Sequence, residues 1–402
     1  MSVLLDRLIS ILIVGWLLTF LISSKSGIFV ILIFLLSLGG LFLKRNEKKK
    51  LAKSEVLFIS SFIIYFIVSS SSVLILGGEL RELDTLSRFI LVLPIFFYIR
   101  KSSVNITPFF ISVCFTTFLL SMHILAKKFF GLHFLELYKN TSFIGFYLSF
   151  FSILCILAIN PEKSIRFNAI FLLVGIVGII SAMLTGSRGA FISSLVSIGY
   201  ILFSNHFNLS RRNFKYLFYL MIMTIPIIFL IPKNETSYKF KQIYSQIVEY
   251  QKEGNAKSSI GARLEMYKTA LIIAQDNLFF GIGENNFVKT KAKLIQNGNV
   301  SRDIESFNHP HSEYLTSLVE QGLLGLSSLI FLYISSFYFA RHEKHNSGDI
   351  YSSNLITISI ISLVIFYATY SIFNGVFDHQ TTTLFYTLVI AIMIGILSSL
   401  RK

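Results

Sequence analysis

The sequence predicts an all-α, polytopic integral membrane protein, and three observations carry that prediction. Apolar residues fill 53% of its 402 positions while Asp, Glu, Lys and Arg supply 14%, and the mean hydropathy is +0.68, a balance too apolar for an aqueous globule. Apolar runs recur along nearly the whole chain. Each must be a helix of roughly 20 residues to cross a hydrocarbon core of about 30 Å, because an open strand in lipid leaves its backbone hydrogen bonds unmade. Finally, Lys and Arg gather in alternate loops, as expected when basic loops stay on the cytoplasmic side.

Twelve spans are predicted, at about 8–23, 27–43, 56–76, 87–99, 107–126, 142–159, 167–185, 189–204, 215–232, 314–340, 354–373 and 381–400. The fourth and eighth are short. The first follows "MSVLLDR" without a small-residue cleavage site after it, so it reads as a retained span rather than a signal peptide. The basic loops are "KRNEKKKLAK" with six Lys and Arg, "RK", "NPEKSIR", "SRRNFK" and "RHEK". All are even-numbered, which puts both termini in the cytoplasm and the odd-numbered loops on the far, periplasmic side. The net charge of +15 is then largely topological signal, with anionic lipid headgroups attracting the rest. No nucleic-acid module is visible. Cys114 and Cys155 lie inside apolar runs, without the spacing of a disulfide framework or a metal site.

Residues 233–310 break the rhythm. They hold no spanning run and are rich in Lys, Glu, Asn, Gln and Ser, which divides the chain into spans one to nine (1–232), a large outward loop (233–310) and spans ten to twelve (311–402). Within the loop, "SSIGARLEMYKTALIIAQ" places Leu264, Tyr267, Leu271 and Ala274 at helical spacing, an amphipathic helix capped by Ser258 or Ser259. Gly281 and Gly283 in "DNLFFGIGENNF" end it. This GxG lacks the third glycine and the preceding strand of a dinucleotide fingerprint. Pro310 suits the first turn of the following helix.

Three charged or titratable positions stand out. Arg188, in "LTGSRGAF", occupies a very short outward connection between two glycines. It reads either as a snorkelling helix-end residue or as an anion clamp, where a ligand approaches the glycine backbone and the next helix adds positive potential. Arg263 alone would be an ordinary solvated charge. His311, at the mouth of the tenth span, reads as an interfacial residue or as a general base held neutral by the helix dipole. His309 and His311 with Glu313 would make a metal set only as an incomplete trio, so no metal is expected. Two arginines and a neutral imidazole on one outward face would suit transfer of a sugar from a polyprenyl diphosphate: arginine binds phosphate bidentately, and the imidazole takes a hydroxyl proton.

These segments resemble the O-antigen ligases, within the superfamily they share with O-antigen polymerases. The likeness rests on "LTGSRGAF", "SSIGARLEMY", "FFGIGENNF" and "HPHSEYLTSLVEQGLLGL" in the family's order, and on a twelve-span plan with a large periplasmic loop between spans nine and ten. The resemblance implies an inverting, metal-independent, cofactor-free glycosyltransferase of the bacterial inner membrane. It would move glycan from undecaprenyl diphosphate to lipid A-core at the periplasmic face. Carried over by position, Arg188 and Arg263 bind the diphosphate and His311 activates the acceptor hydroxyl, with His309 and Glu313 in support. Many members have Asn before the glutamate, where this chain has Ser312. Arg81 and Arg88, seven residues apart at the outer face, read as interfacial anchors or as a further phosphate contact. A polymerase would use a second carrier-linked glycan as acceptor. A transporter of lipid-linked sugars would need ionisable residues deep in its spans, where only His123 approaches that depth.

Overall fold

Every regular element that the computed structural model describes is a helix, as the need to satisfy backbone groups within each span requires. The described residues are 2–47, 49–133, 135, 141–160, 163–203, 235–284, 286–342 and 350–401. The helices before the polar segment are α1 (Ser2–Thr19), α2 (Gly27–Leu43), α3 (Lys53–Leu76), α4 (Glu82–Leu91), α5 (Leu93–Ile99), α6 (Thr107–Phe130), α7 (Thr141–Leu157), α8 (Ile165–Leu184) and α9 (Arg188–Phe203). The polar segment contributes α10 (Glu235–Glu253), α11 (Ser259–Asp276) and α12 (Asn286–Gln296), and the chain closes with α13 (Glu313–His342), α14 (Ile350–Tyr370) and α15 (Gln380–Ser399).

Six of these helices, α3, α6, α8, α13, α14 and α15, are long and apolar enough to cross a membrane, and α2, α7 and α9 are shorter apolar helices. The predicted ninth run, 215–232, lies outside the described residues. The predicted fourth run is two helices, α4 and α5, separated at Val92. Pro94, near the start of α5, has no N–H to return to the preceding turn, so the ladder is interrupted there. The tenth run is also discontinuous. Gly322 adopts φ 67°, ψ −158° inside α13, and a Cβ on Gly325 would lie 2.9 Å from the Ser317 carbonyl oxygen. The chain therefore folds back on itself at Gly322, where the apolar pattern alone predicts one straight helix.

Packing centres on α15, apolar on all sides and buried along most of its length. Phe385 stacks on Trp16 of α1 and on Phe20 in the turn that follows it, with ring centroids 6.0 and 5.7 Å apart, and meets Tyr147 of α7 edge-on at 5.2 Å. The outer helices leave large apolar side chains exposed, among them Ile67 and Leu74 on α3, Leu173 on α8 and Ile334 on α13. Such faces fit lipid.

The two ends of the bundle differ. At one, Arg100 forms an ion pair with Glu55 at 2.9 Å and donates to the carbonyls of Lys49 and Lys50. There too the Tyr98 hydroxyl and the Ser103 backbone N–H donate to Asp6, and Lys49 donates to the Ser398 carbonyl. At the other end lie the α8–α9 connection, the α14–α15 connection and the polar segment.

Candidate active site

Each polar wall of the cavity at this second end is built by a local device. Gly186, at φ 78°, reverses the chain after α8 so that Arg188 opens α9. The Arg188 guanidinium donates to Ser259 Oγ at 3.3 Å. Ser259 opens α11, and the preceding Ser258 caps it by accepting the Gly261 N–H. At Gly261 a Cβ would lie 2.2 Å from the Asn255 carbonyl oxygen, so glycine is what lets the chain fold back beside the cap. Arg263 follows Ser259 by one turn and shares its face.

The buried face of α11 agrees with the one that its spacing suggests at Ala274 and departs from it elsewhere. Ala262, Met266, Ala270 and Ile273 are buried, whereas Leu271 is half exposed and Tyr267 is only partly covered. Ser259, Arg263 and Tyr267 instead form a stripe at fourfold spacing toward the α14–α15 connection, where the Tyr267 hydroxyl donates to the Ile372 carbonyl at 2.8 Å. The small and thioether residues of the other face fit the space beneath the helix, and that packing overrides the aromatic pattern.

The histidines come from the chain before α13. Lys291 of α12 is buried and its ammonium donates to the carbonyls of Ile304, Glu305 and Phe307, fixing the segment just upstream. Ser301 N–H donates to Glu265 of α11 at 2.8 Å. The His309 and His311 rings lie 4.2 Å apart, and the His311 N–H donates to His309 Nδ1 at 3.3 Å. Pro310 is in this loop rather than in a helix, and α13 begins only at Glu313. His311 is therefore outside the first turn. It is also the single non-glycine residue with positive φ, 57°, among the described residues, a strained state costing on the order of 1–3 kcal/mol.

Burial, then His309 and Arg263, push the His311 imidazolium down to about 4, with a hydrogen bond from the ring to Asn374 opposing. The helix dipole is not needed to keep the ring neutral. Asn374 Nδ2 donates to the Tyr370 hydroxyl at 3.2 Å, which leaves its amide oxygen for a ring N–H. His311 Nδ1 is buried with no hydrogen-bond partner. Burial likewise lowers His309.

Arg188, Arg263, His309 and His311 thus line one cavity of about 460 Å³, together with Ser259, Tyr370, Asn374 and His379. Among the described residues no carboxylate lines it. Glu313 is turned away: its backbone N–H donates to the carbonyls of Ser371 and Asn374, and its carboxylate accepts the Phe377 N–H at 3.0 Å. It braces the α14–α15 connection and does not complete a metal trio with the histidines. Arg88 is held by Asp84 at 3.1 Å, and neither it nor Arg81 lines the cavity.

Asn374 and His379 were not singled out from the sequence. Their signal is a short polar string, "NGVFDHQ", between two spans at the outward end.

Residues 172–330 match the family model described as O-antigen ligase. That segment contains Arg188, Arg263, His309, His311 and Glu313, and stops short of Asn374 and His379. An uncharacterized protein of Haemophilus influenzae is 25% identical over 353 residues, covering 86% of this chain and 87% of that one. The O-antigen ligase of Escherichia coli K12 is 24% identical over 162 residues, 40% of this chain and 38% of the other. The chain is a multi-pass membrane protein whose central segment resembles the O-antigen ligases.

Proposed function

We propose that this membrane protein is a glycosyltransferase that moves an O-antigen glycan from undecaprenyl diphosphate to lipid A-core at the periplasmic face of the inner membrane. The observation that carries the reading is the cavity itself: two arginines and three histidines, His311 among them, gathered at one end of a membrane bundle, with no described carboxylate among them. Such a site fits a diphosphate better than a neutral or cationic ligand. Sidedness follows from the basic residues. Lys44, Lys49, Arg100 and Lys101 meet at the opposite end, which basic-loop bias assigns to the cytoplasm along with the termini.

In this reading the acceptor hydroxyl oxygen attacks the anomeric carbon from the face opposite the diphosphate. The carbon–oxygen bond to phosphate breaks with inversion, and its electron pair stays on the diphosphate between Arg188 and Arg263. The hydroxyl proton passes to the His311 imidazole. Guanidinium groups supply the charge stabilisation, so the step calls for no metal. A bound diphosphate also cancels part of the positive field that depresses His311. The base gains proton affinity as the donor arrives.

The test is reconstitution of the purified full chain in vesicles with carrier-linked glycan, a chelator and either lipid A-core or a second carrier-linked glycan. Transfer to lipid A-core is expected. Elongation on the second carrier instead would make the protein a polymerase, and no transfer to either acceptor would overturn the reading.

A further inference from the structure

Beyond α11 the chain turns through "NLFFGIG", residues 277–283, and lies against the break in α13. In an unbroken helix the Val319 carbonyl would accept from Leu323 N–H; with Gly322 turned out of helical geometry, that bond is absent. The loop supplies the missing partners. Ile282 N–H donates to Val319 O at 2.8 Å, Gly283 N–H to Glu320 O at 3.0 Å, and Leu323 N–H donates to Leu278 O at 2.8 Å. A Cβ on Gly322 would lie 2.3 Å from the Phe279 carbonyl, and one on Gly281 would lie 2.4 Å from the carbonyl carbon of Glu320. The approach requires glycine on both sides. Asn286 Nδ2 donates to the Leu76 carbonyl at 3.3 Å, joining the end of this loop to the end of α3.

The side chains at the turn face outward. Phe279 and Phe280 are 63% and 69% exposed, and Leu278 is 43% exposed, between the exposed polar Asp276 and Asn277 and the Glu284 that follows. Their neighbours on the spans, Leu323 and Leu324 on α13 and Leu74 and Ile75 on α3, are exposed apolar residues as well. The apolar stretch 322–340 makes roughly 28 Å of helix, close to the hydrocarbon thickness of about 30 Å. Gly322 then marks the bilayer boundary, and the lipid-facing surface of α3 and α13 continues onto the loop.

We propose that Leu278, Phe279 and Phe280 form a wedge inserted into the acyl region of the leaflet on the cavity's side, anchoring the end of α11 to the bilayer. The loop satisfies the broken backbone of α13 from within the protein, as a discontinuity at membrane depth requires. The occupant of the exposed face is lipid. Because α11 also carries Arg263, the wedge fixes one cavity wall against the membrane surface. The inference stands independently of the reaction catalysed there.

The test is Phe280→Trp in the full chain, reconstituted in phosphatidylcholine vesicles whose acyl chains are brominated near the glycerol end. The native Trp16 is buried in the core and supplies a constant background measured in the parent protein. The added indole is expected to be quenched by bromine, at a depth of about 5–10 Å below the headgroup boundary, and to be insensitive to aqueous iodide. Iodide quenching without bromine quenching would overturn the wedge. Phe279→Trp repeats the measurement if the first variant does not fold. Adding Gly281→Ala, which pushes the loop off Glu320, should transfer quenching from bromine to iodide; unchanged quenching in that folded variant would overturn the clamp.

Discussion

Arg100 and Arg188 sit at opposite ends of the same bundle and are treated in opposite ways. Arg100 is buried with Glu55 across a two-point ion pair, and two further N–H groups donate to the carbonyls of Lys49 and Lys50. Arg188 shares a cavity with Arg263 and three histidines, and Ser259 is a neutral acceptor. The first arrangement neutralises charge and ties the 44–53 loop to α3 and α5. The second concentrates like charge where it opposes folding, and that is tolerated where an anion is to be bound.

The largest effect should come from the residue that has no counterpart at the Arg100 end. His311→Ala, at normal expression, is expected to lower transfer by about 10²–10⁴-fold, the range of a general base. The rate is read in the reconstituted system with chelator present; a near-normal rate would remove the base assignment. Next, Arg100→Ala leaves the Glu55 carboxylate buried without its partner, which should cost about 3–5 kcal/mol of stability, read by unfolding in detergent. Transfer per folded molecule should persist. If Arg188→Ala destabilised the protein as much as Arg100→Ala does, the distinction between the two ends would fail. Arg188→Lys replaces a planar fork by a point charge and should lower transfer by about 10²-fold with little change in stability.

The two ends also differ in how far the sequence discloses them. The spans and the basic loops are legible because hydropathy and charge act locally. Arg188 and His311 stand out because a charge between glycines and a histidine at a span mouth are rare in such a chain. Their convergence is not local: it needs Ser259 to face Arg188 across 71 positions. Nor does the pattern show that Leu264, Tyr267 and Leu271 leave the buried face of α11 to smaller residues, since that choice depends on the depth of the space below. The fold-back at Gly322 escapes notice because "QGLLGL" reads as ordinary apolar helix, and only the docking of residues 277–283 makes a broken ladder affordable. Lys291 resembles any loop lysine until three carbonyls surround it.

The smallest effect is the sharpest probe of the cavity's field. His311 lies at about 4, below the ordinary imidazole value of about 6.5, because burial and the charges around it disfavour the imidazolium. A base acts only when unprotonated, so activity falls as pH drops through its pKa. The acid limb of kcat/KM, which reports the free enzyme, should lie near 4. The acid limb of kcat, which reports the donor complex, should lie higher, since the diphosphate offsets Arg263. Arg263→Gln removes one of the charges that depress His311, so its kcat/KM limb should move up and the gap between the two limbs should narrow. Rates measured from pH 4 to 8 decide this. Coincident limbs in the parent protein, or an unmoved kcat/KM limb in Arg263→Gln, would mean that the Arg263 guanidinium does not act on this histidine, and the contrast between the paired end and the cationic end would lose its chemical meaning.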